Sequence, residues 1–105
     1  MKNLEVLDLA RAHLTDAGLH HLQGLVHLKR LDLTGSGLTD AGASSLSTLT
    51  NLERLHISDT VMTDAGLVHL QALMKLERLD IFGAAVSGDA VERLQRAVPG
   101  LKVFR

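Results

Sequence analysis

The segment Leu14-Thr15-Asp16-Ala17-Gly18 returns as Leu38-Thr39-Asp40-Ala41-Gly42 and again as Met62-Thr63-Asp64-Ala65-Gly66. The copies begin at positions 14, 38 and 62, and we call this constant spacing the repeat step. The apolar residues ahead of the segment keep the same step: Leu4, Leu7 and Leu9; Leu28, Leu31 and Leu33; Leu52, Leu55 and Ile57; Leu76, Leu79 and Ile81. Self-similarity at a period of about 20 to 50 residues is the sequence signature of a solenoid. The sequence therefore predicts four stacked units.

Each unit begins with a predicted strand. Leu7 and Leu9 are two residues apart, so a strand would point both to one face, while Val6 and Asp8 would point to the other. Because the units repeat in register, their strands are expected to stack side by side into one parallel sheet.

A predicted helix follows each strand. Thr15 is placed to cap the first helix, and Asp16 to complement the positive end of its dipole. Leu19, Leu22 and Leu25 recur every three residues, which indicates a short helix with one buried face. Glycine costs stability early in a helix, so we expect the repeated glycines to let each helix approach its neighbour closely: Gly18, Gly42 and Gly66.

The pattern L-x-x-L-x-L, followed by a further apolar residue, resembles the leucine-rich-repeat family over essentially the whole chain. In detail it is similar to the Thr-Asp-Ala-Gly-Leu repeats of large bacterial proteins and to the cysteine-containing repeats of F-box adaptors. The chain departs from the family at the position usually held by Asn or Cys, which here holds Ala12, Ser36, Thr60 and Ala84. The resemblance implies an α/β fold: a right-handed solenoid with a parallel sheet on its concave side. It also implies that this sheet binds protein partners.

The domain organisation follows from the repeat step. We expect a single domain over residues 1–105, with repeats at about 4–27, 28–51, 52–75 and 76–100 and a terminal strand at 101–105. Pro99 and Gly100 are expected to end the last helix, and the short strand after them is typical of a C-terminal end. The other end has no such cover, because Leu7 and Leu9 would lie at an open sheet edge. The chain is then either part of a longer array or self-associating through that edge.

The outward strand positions are expected to form columns on the concave sheet. One column is Val6, Arg30, Arg54, Arg78 and Val103; the next is Asp8, Asp32, His56, Asp80 and Arg105; the third is Ala10, Thr34, Ser58 and Phe82. We take as the candidate partner-binding residues Arg30, Asp32, Arg54, His56, Arg78, Asp80 and Phe82. The arginine and aspartate columns either neutralise each other or meet a charged partner. Phe82 is either an interface anchor or packed against Val103 or the C-terminal tail.

Some residues on this face are of the types found in hydrolase active sites. Ser58, His56 and Asp32 or Asp80 match a hydrolase triad in kind, but a flat strand supplies neither an oriented base nor an oxyanion hole. We therefore expect no catalytic residues. His21 and His69 share a repeat position two units apart, roughly 10 Å by strand spacing, which is too far for one metal ion. No metal site and no cofactor are expected.

Composition excludes further classes. The formal net charge is −1, and tryptophan and tyrosine are absent, so neither duplex nor single-stranded nucleic acid is an expected ligand. There are no cysteines, and hence no disulfide framework. No apolar run approaches the roughly 20 residues that span a bilayer, and the first residues do not resemble a signal peptide. We expect no membrane contact, and the cytoplasm is the default compartment.

These observations predict a non-catalytic module that presents its concave sheet to a protein partner. Two alternatives stay open. The chain could be a structural or self-associating segment of a larger array, or, by family analogy alone, the substrate-recognition part of a ubiquitin-ligase-like adaptor.

Overall fold

The computed structural model describes residues 3–105 as five short parallel strands alternating with helices. The strands are β1 (Val6–Asp8), β2 (Arg30–Asp32), β3 (Arg54–His56), β4 (Arg78–Asp80) and β5 (Lys102–Phe104). The α-helices are α1 (Asp16–His20), α2 (Asp40–Leu46), α3 (Asp64–His69) and α4 (Gly88–Ala97), and a 3₁₀ helix, Leu70–Ala72, continues α3. The strands follow one another across a single sheet in the order β1-β2-β3-β4-β5. The predicted α/β leucine-rich-repeat solenoid is confirmed.

The register of the sheet preserves the repeat step. Leu7 pairs with Leu31, Leu31 with Leu55, and Leu55 with Leu79. The central leucine of each inner strand points inward and is fully buried, as are the apolar residues two positions later. The core is therefore a stack of aliphatic side chains between the sheet and the helices, as the alternation within each strand predicts.

The helices are shorter than the leucine spacing predicted. In the first unit α1 ends at His20, and the chain continues through turns in which Leu22 N–H donates to Leu19 O and Leu25 N–H to Leu22 O. Leu46, Leu49 and Leu52 repeat this pattern in the second unit. A recurrence every three residues is the period of 3₁₀ turns, in which side chains three apart eclipse each other. The apolar spacing thus marks a short α-helix followed by successive i→i+3 turns.

The polar positions where the family holds Asn or Cys are satisfied within their own turns. Buried Ser36 accepts a hydrogen bond from Leu38 N–H at 3.3 Å, and buried Thr60 donates from Oγ1 to Ile57 O at 2.9 Å. Both bonds are local, so these hydroxyls do not link one unit to the next.

A different set of side chains joins the units. The Asp16 carboxylate accepts hydrogen bonds from Thr39 N–H at 2.9 Å and from the Thr39 hydroxyl at 2.5 Å. Asp40 accepts the same pair of bonds from Thr63, at 2.7 and 2.5 Å, and Asp64 from Ser87, at 2.6 and 2.7 Å. We call this series the aspartate ladder. Asp16, which was expected to complement the dipole of its own helix, thus also binds Thr39, the residue that precedes α2.

The ladder has electrostatic and steric consequences. Burial raises the pKa of the Asp40 carboxyl, but the bonds from the Thr63 hydroxyl, Thr63 N–H and Gly66 N–H outweigh it and hold that pKa below its usual value. The bonds from Ser87 N–H and its hydroxyl likewise lower the pKa of Asp64. A Cβ on Gly66 would lie 2.6 Å from Asp40 Oδ1. For Gly42 and Gly66, the close approach thus includes the carboxylate of the preceding unit, whereas a Cβ on Gly18 would meet only Leu14.

The last strand is placed one residue differently from the expectation. β5 pairs Lys102 with Arg78, Val103 with Leu79 and Phe104 with Asp80, so assigning Val103 and Arg105 to the outward columns is wrong. The unit does carry one extra residue before Leu101, because α4 runs on to Ala97 and the chain turns at Gly100. β5 therefore begins directly after Leu101, whereas β2 begins two residues after Leu28. The hydrogen bond from Lys102 N–H to Glu77 O fixes this register.

Candidate protein-binding face

The outward side of the sheet brings all seven predicted binding residues onto one surface. We define the exposed sheet face as Arg30, Asp32, Arg54, His56, Arg78, Asp80 and Phe82, together with Lys102 and Phe104 from the last strand. The strands hold their members of this set on one face because their neighbours in sequence point into the core. Phe82 lies in the turn just after β4 and is exposed.

A cationic column runs across four strands. Arg30, Arg54, Arg78 and Lys102 are direct register partners, so their backbones lie about 4.8 Å apart from one strand to the next. All four residues are exposed. Like charges at this spacing repel each other, and the column is held in place by the strand register.

Among residues 3–105, the neighbouring aspartates form no ion pair with the first two arginines. Asp8 accepts a hydrogen bond from Ala10 N–H at 3.0 Å, and Asp32 from Thr34 N–H at 2.9 Å. Among residues 3–105, no carboxylate oxygen lies within 4.0 Å of the guanidinium nitrogens of Arg30 or Arg54. These two guanidiniums therefore keep their donors for water or for a partner.

The third arginine is held in a cluster. Asp80 is only 6% exposed although it points outward. Its carboxylate contacts His56 Nδ1 and accepts from Arg78 Nε at 3.2 Å. The Arg78 guanidinium also lies 4.3 Å from the centre of the Phe104 ring, within cation–π range. Arg78 and His56 therefore pair with the Asp80 carboxylate, and Phe104 contacts Arg78, so these side chains order this end of the exposed sheet face.

Phe82 is an exposed aromatic residue beside the charged columns. It is 51% exposed, and Val103, one of its expected packing partners, is instead in register with inward-pointing Leu79. The Phe82 N–H donates to the Ser58 hydroxyl at 3.0 Å. The serine of the triad-like set is thus bonded to the backbone, and within the described part of the chain no hydrogen bond joins it to His56.

A hollow of about 370 Å³ lies at the Phe104 end of the face. It is lined by Arg54, Glu77, Arg78, Gly100, Lys102 and Phe104. Lys102 and Phe104 are absent from the residues predicted from the sequence. The signal that finds them is the unbroken repeat step, which leads from Arg78 to Lys102 and from Asp80 to Phe104.

Residues 3–105 contain no group of three or more His, Cys, Asp or Glu side chains arranged to hold a metal ion. No helix in the same range is long and apolar enough to cross a bilayer.

Comparison with known proteins agrees with this architecture. A leucine-rich-repeat family model matches residues 1–22, 24–47 and 48–70. Internalin C2 of Listeria monocytogenes is similar in structure, with a TM-score of 0.79 and 30% sequence identity over 97% of this chain. The chain spans 41% of the length of that internalin. No curated protein sequence matches the chain.

Two further structures share the fold at lower identity. The Mex67:Mtr2 subunits of Chaetomium give a TM-score of 0.76 at 20% identity, covering 94% of this chain and 78% of theirs. A leucine-rich-repeat protein of Leptospira interrogans gives 0.65 at 21% identity, covering 82% of this chain and 21% of its own.

The stacked parallel strands, the constant repeat step and the aliphatic core define a repeat solenoid. The chain belongs to the leucine-rich-repeat family.

Proposed function

We propose that this chain is a non-catalytic protein-interaction module whose exposed sheet face binds a protein partner through that partner's carboxylates. The observation that carries the proposal is the pair of exposed guanidiniums, Arg30 and Arg54, on adjacent strands with no carboxylate in reach among residues 3–105. Arginine binds carboxylates in a planar, bidentate geometry, and the strands hold these two side chains side by side.

Two further features support a protein partner. Phe82 offers about half of its surface beside the charged columns, and exposed aromatic side chains are common anchors of protein interfaces. The cluster around Asp80 is already ordered by His56 and Arg78, so less side-chain entropy is lost when a partner covers it.

The proposal is tested by capturing partners from a lysate of the source organism with the natural chain and with two variants of equal charge change. The first variant carries Arg30→Glu and Arg54→Glu; the control carries Arg93→Glu and Arg96→Glu on exposed positions of α4. Arg78 is left in place, because reversing its charge would leave the buried Asp80 carboxylate without that partner.

The expected result is a protein captured by the natural chain and by the α4 control but lost with the strand variant. With that partner purified, Phe82→Ala should weaken binding about tenfold or more, whereas Val68→Ala, at a 60% exposed position on α3, should leave it unchanged. Equal capture by both charge variants, with folding intact by circular dichroism, would refute the proposed face.

A further inference from the structure

The hollow at the Phe104 end of the exposed sheet face is lined mainly by cations. Its lining holds three cationic side chains and one carboxylate, a formal charge of +2: Arg54, Arg78, Lys102 and Glu77. The chain as a whole has a formal charge of −1. The positive charge is therefore local, and one cation comes from each of the three adjacent strands β3, β4 and β5.

Most of the hydrogen-bond donors of these cations have no partner in the described part of the chain. Among residues 3–105, no carboxylate oxygen lies within 4.0 Å of the Lys102 ammonium or the Arg54 guanidinium. Arg78 donates to Asp80 through Nε, but its terminal nitrogens donate no hydrogen bond within that range. An anion in the hollow would thus meet donors that the fold leaves unused.

The strand register places these cations close to one another. Register partners in a parallel sheet lie about 4.8 Å apart, and the concave curvature of a solenoid brings the tips of outward side chains together. Arg78 is also positioned by Asp80 and by the Phe104 ring, whose centre lies 4.3 Å from the guanidinium carbon. The hollow of about 370 Å³ is at the small end of ligand sites, about 300–1,000 Å³. It therefore suits one charged group and the side chain that carries it.

We propose that this hollow binds a phosphorylated side chain of the protein partner. A phosphoryl group carries about −1.5 to −2 charges at neutral pH and three acceptor oxygens, which match the formal charge of the lining and its three cations. A single carboxylate has one charge and two oxygens, so it would leave one cation unmatched. The inference rests on the proposed function, because the phosphate reaches the hollow on the same partner whose carboxylates meet Arg30 and Arg54.

The surroundings of the hollow favour a protein as the carrier of the phosphate. A bilayer or a nucleic acid presents many phosphates side by side, and binding to them is typical of an extended basic surface. The positive charge here is confined to one part of the face, because Asp8 and Asp32 lie at outward positions of the first two strands. A partner that carries a single phosphate next to other interface residues fits this arrangement, and Phe82 offers it an exposed ring on the same face.

The test measures anion binding to the full chain by proton–nitrogen correlation NMR, with the backbone amides of Lys102 and Phe104 as the readout. The probes are N-acetyl-phosphoserine amide, the similarly charged N-acetyl-glutamyl-glutamate amide, and inorganic phosphate. The variants are Lys102→Gln and Glu77→Gln, with Lys29→Gln and Glu53→Gln as matched controls outside the lining. Neither Lys102 nor Glu77 forms an ion pair among residues 3–105, so both variants should fold, which circular dichroism checks.

The phosphoserine probe and inorganic phosphate should both shift the two amides saturably, and the phosphoserine probe should bind at least about fivefold more tightly than the diglutamate probe. Lys102→Gln should weaken this binding about three- to tenfold, because it removes one of the three cations. Glu77→Gln should strengthen it about two- to fivefold, since it removes the carboxylate of the lining. Lys29→Gln and Glu53→Gln should each change it by less than about twofold. The partner captured from lysate should be lost after phosphatase treatment and with Lys102→Gln.

Equal binding of the phosphoserine and diglutamate probes, or shifts at every exposed arginine without saturation, would overturn the phosphate site. Tighter binding to vesicles of phosphatidylcholine and a phosphatidylinositol phosphate would also overturn it, because the hollow would then take a lipid headgroup. A partner that is still captured after phosphatase treatment, yet lost with Arg30→Glu and Arg54→Glu, would overturn this inference and leave the proposed function in place. Saturable phosphoserine binding together with equal capture by the strand and α4 variants would instead refute the proposed face and support the anion site.

Discussion

Replacing Gly42 by alanine tests whether the aspartate ladder dictates the glycine of the repeated segment. Gly42 lies in the first turn of α2, where alanine alone would stabilise the helix by up to about 1 kcal/mol. Its Cβ, however, would clash with Asp16 Oδ1 and lie 2.6 Å from Leu38 Cδ1. Either the carboxylate moves away from Thr39 or the turn before α2 moves.

The steric cost exceeds the gain in helix propensity. A hydrogen bond to a charged group contributes about 1.5–3 kcal/mol, and partial exposure reduces the two bonds from Thr39 to roughly 1 kcal/mol each. Displacing Leu38, which is 2% exposed, adds about 1 kcal/mol of overpacking. Gly42→Ala should therefore lower the free energy of unfolding by about 1–3 kcal/mol. Gly24→Ala, whose Cβ would meet nothing within 4 Å, should change it by less than about 0.5 kcal/mol.

The assay is a double-mutant cycle of Asp16→Ala and Gly42→Ala, with each free energy taken from urea unfolding. Because Asp16→Ala removes the obstructing carboxylate, Gly42→Ala should cost about 1–2 kcal/mol less in that background. If the two effects add within about 0.5 kcal/mol, or if Gly42→Ala stabilises the chain, the ladder does not explain the glycine.

Three further outcomes are expected. The pKa values of Asp40 and Asp64 are lowered in the folded chain from 3.8; their contribution to stability is therefore complete above that value and is lost as pH falls through the folded pKa. An acid titration of unfolding should accordingly be flatter in the Asp40→Asn, Asp64→Asn variant. Leu55→Ala should cost about 2–5 kcal/mol by urea unfolding, and Leu7→Ala distinctly less, because Leu55 is fully buried and Leu7 only partly; equal losses would contradict this dependence on burial. His13 has a φ of +59°, so His13→Gly should raise the thermal midpoint slightly, by the equivalent of at most about 1 kcal/mol.

The sequence was sufficient to predict the fold because the period, the strand alternation and the helix start all point to one architecture. Leu31 and Leu55 alternate with outward Arg30 and Arg54, and this alone orients the sheet. The third repeated signal, leucines every three residues, was ambiguous between an α-helix and 3₁₀ turns, since both bury residues three apart.

The details of the exposed sheet face depended on contacts that composition does not contain. Whether Asp32 pairs with Arg30 or with the backbone two residues on is decided by local geometry, and the sequence allows both. Val103 was assigned to the arginine column in place of Lys102, because the extra residue before Leu101 was carried into the strand. The parallel pairing of Lys102 with Arg78 shows that the turn absorbs that residue. The role of Asp16 beyond its own helix could not be predicted for a related reason: its partner, Thr39, is 23 residues away.

The aspartate ladder is directional. Each ladder carboxylate accepts hydrogen bonds from the unit that follows it and none from the ladder position of the unit before. The two sides of a unit therefore differ chemically: one carries the acceptor and the other the donors. Duplicating or deleting one whole repeat between units 1 and 3 would leave an aspartate facing a Thr or Ser hydroxyl at every surviving junction. A repeat placed after unit 4 would instead meet Gly88, with no carboxylate to give. The ladder therefore fixes the order of the units but leaves the number of repeats between Asp16 and Asp64 free to change.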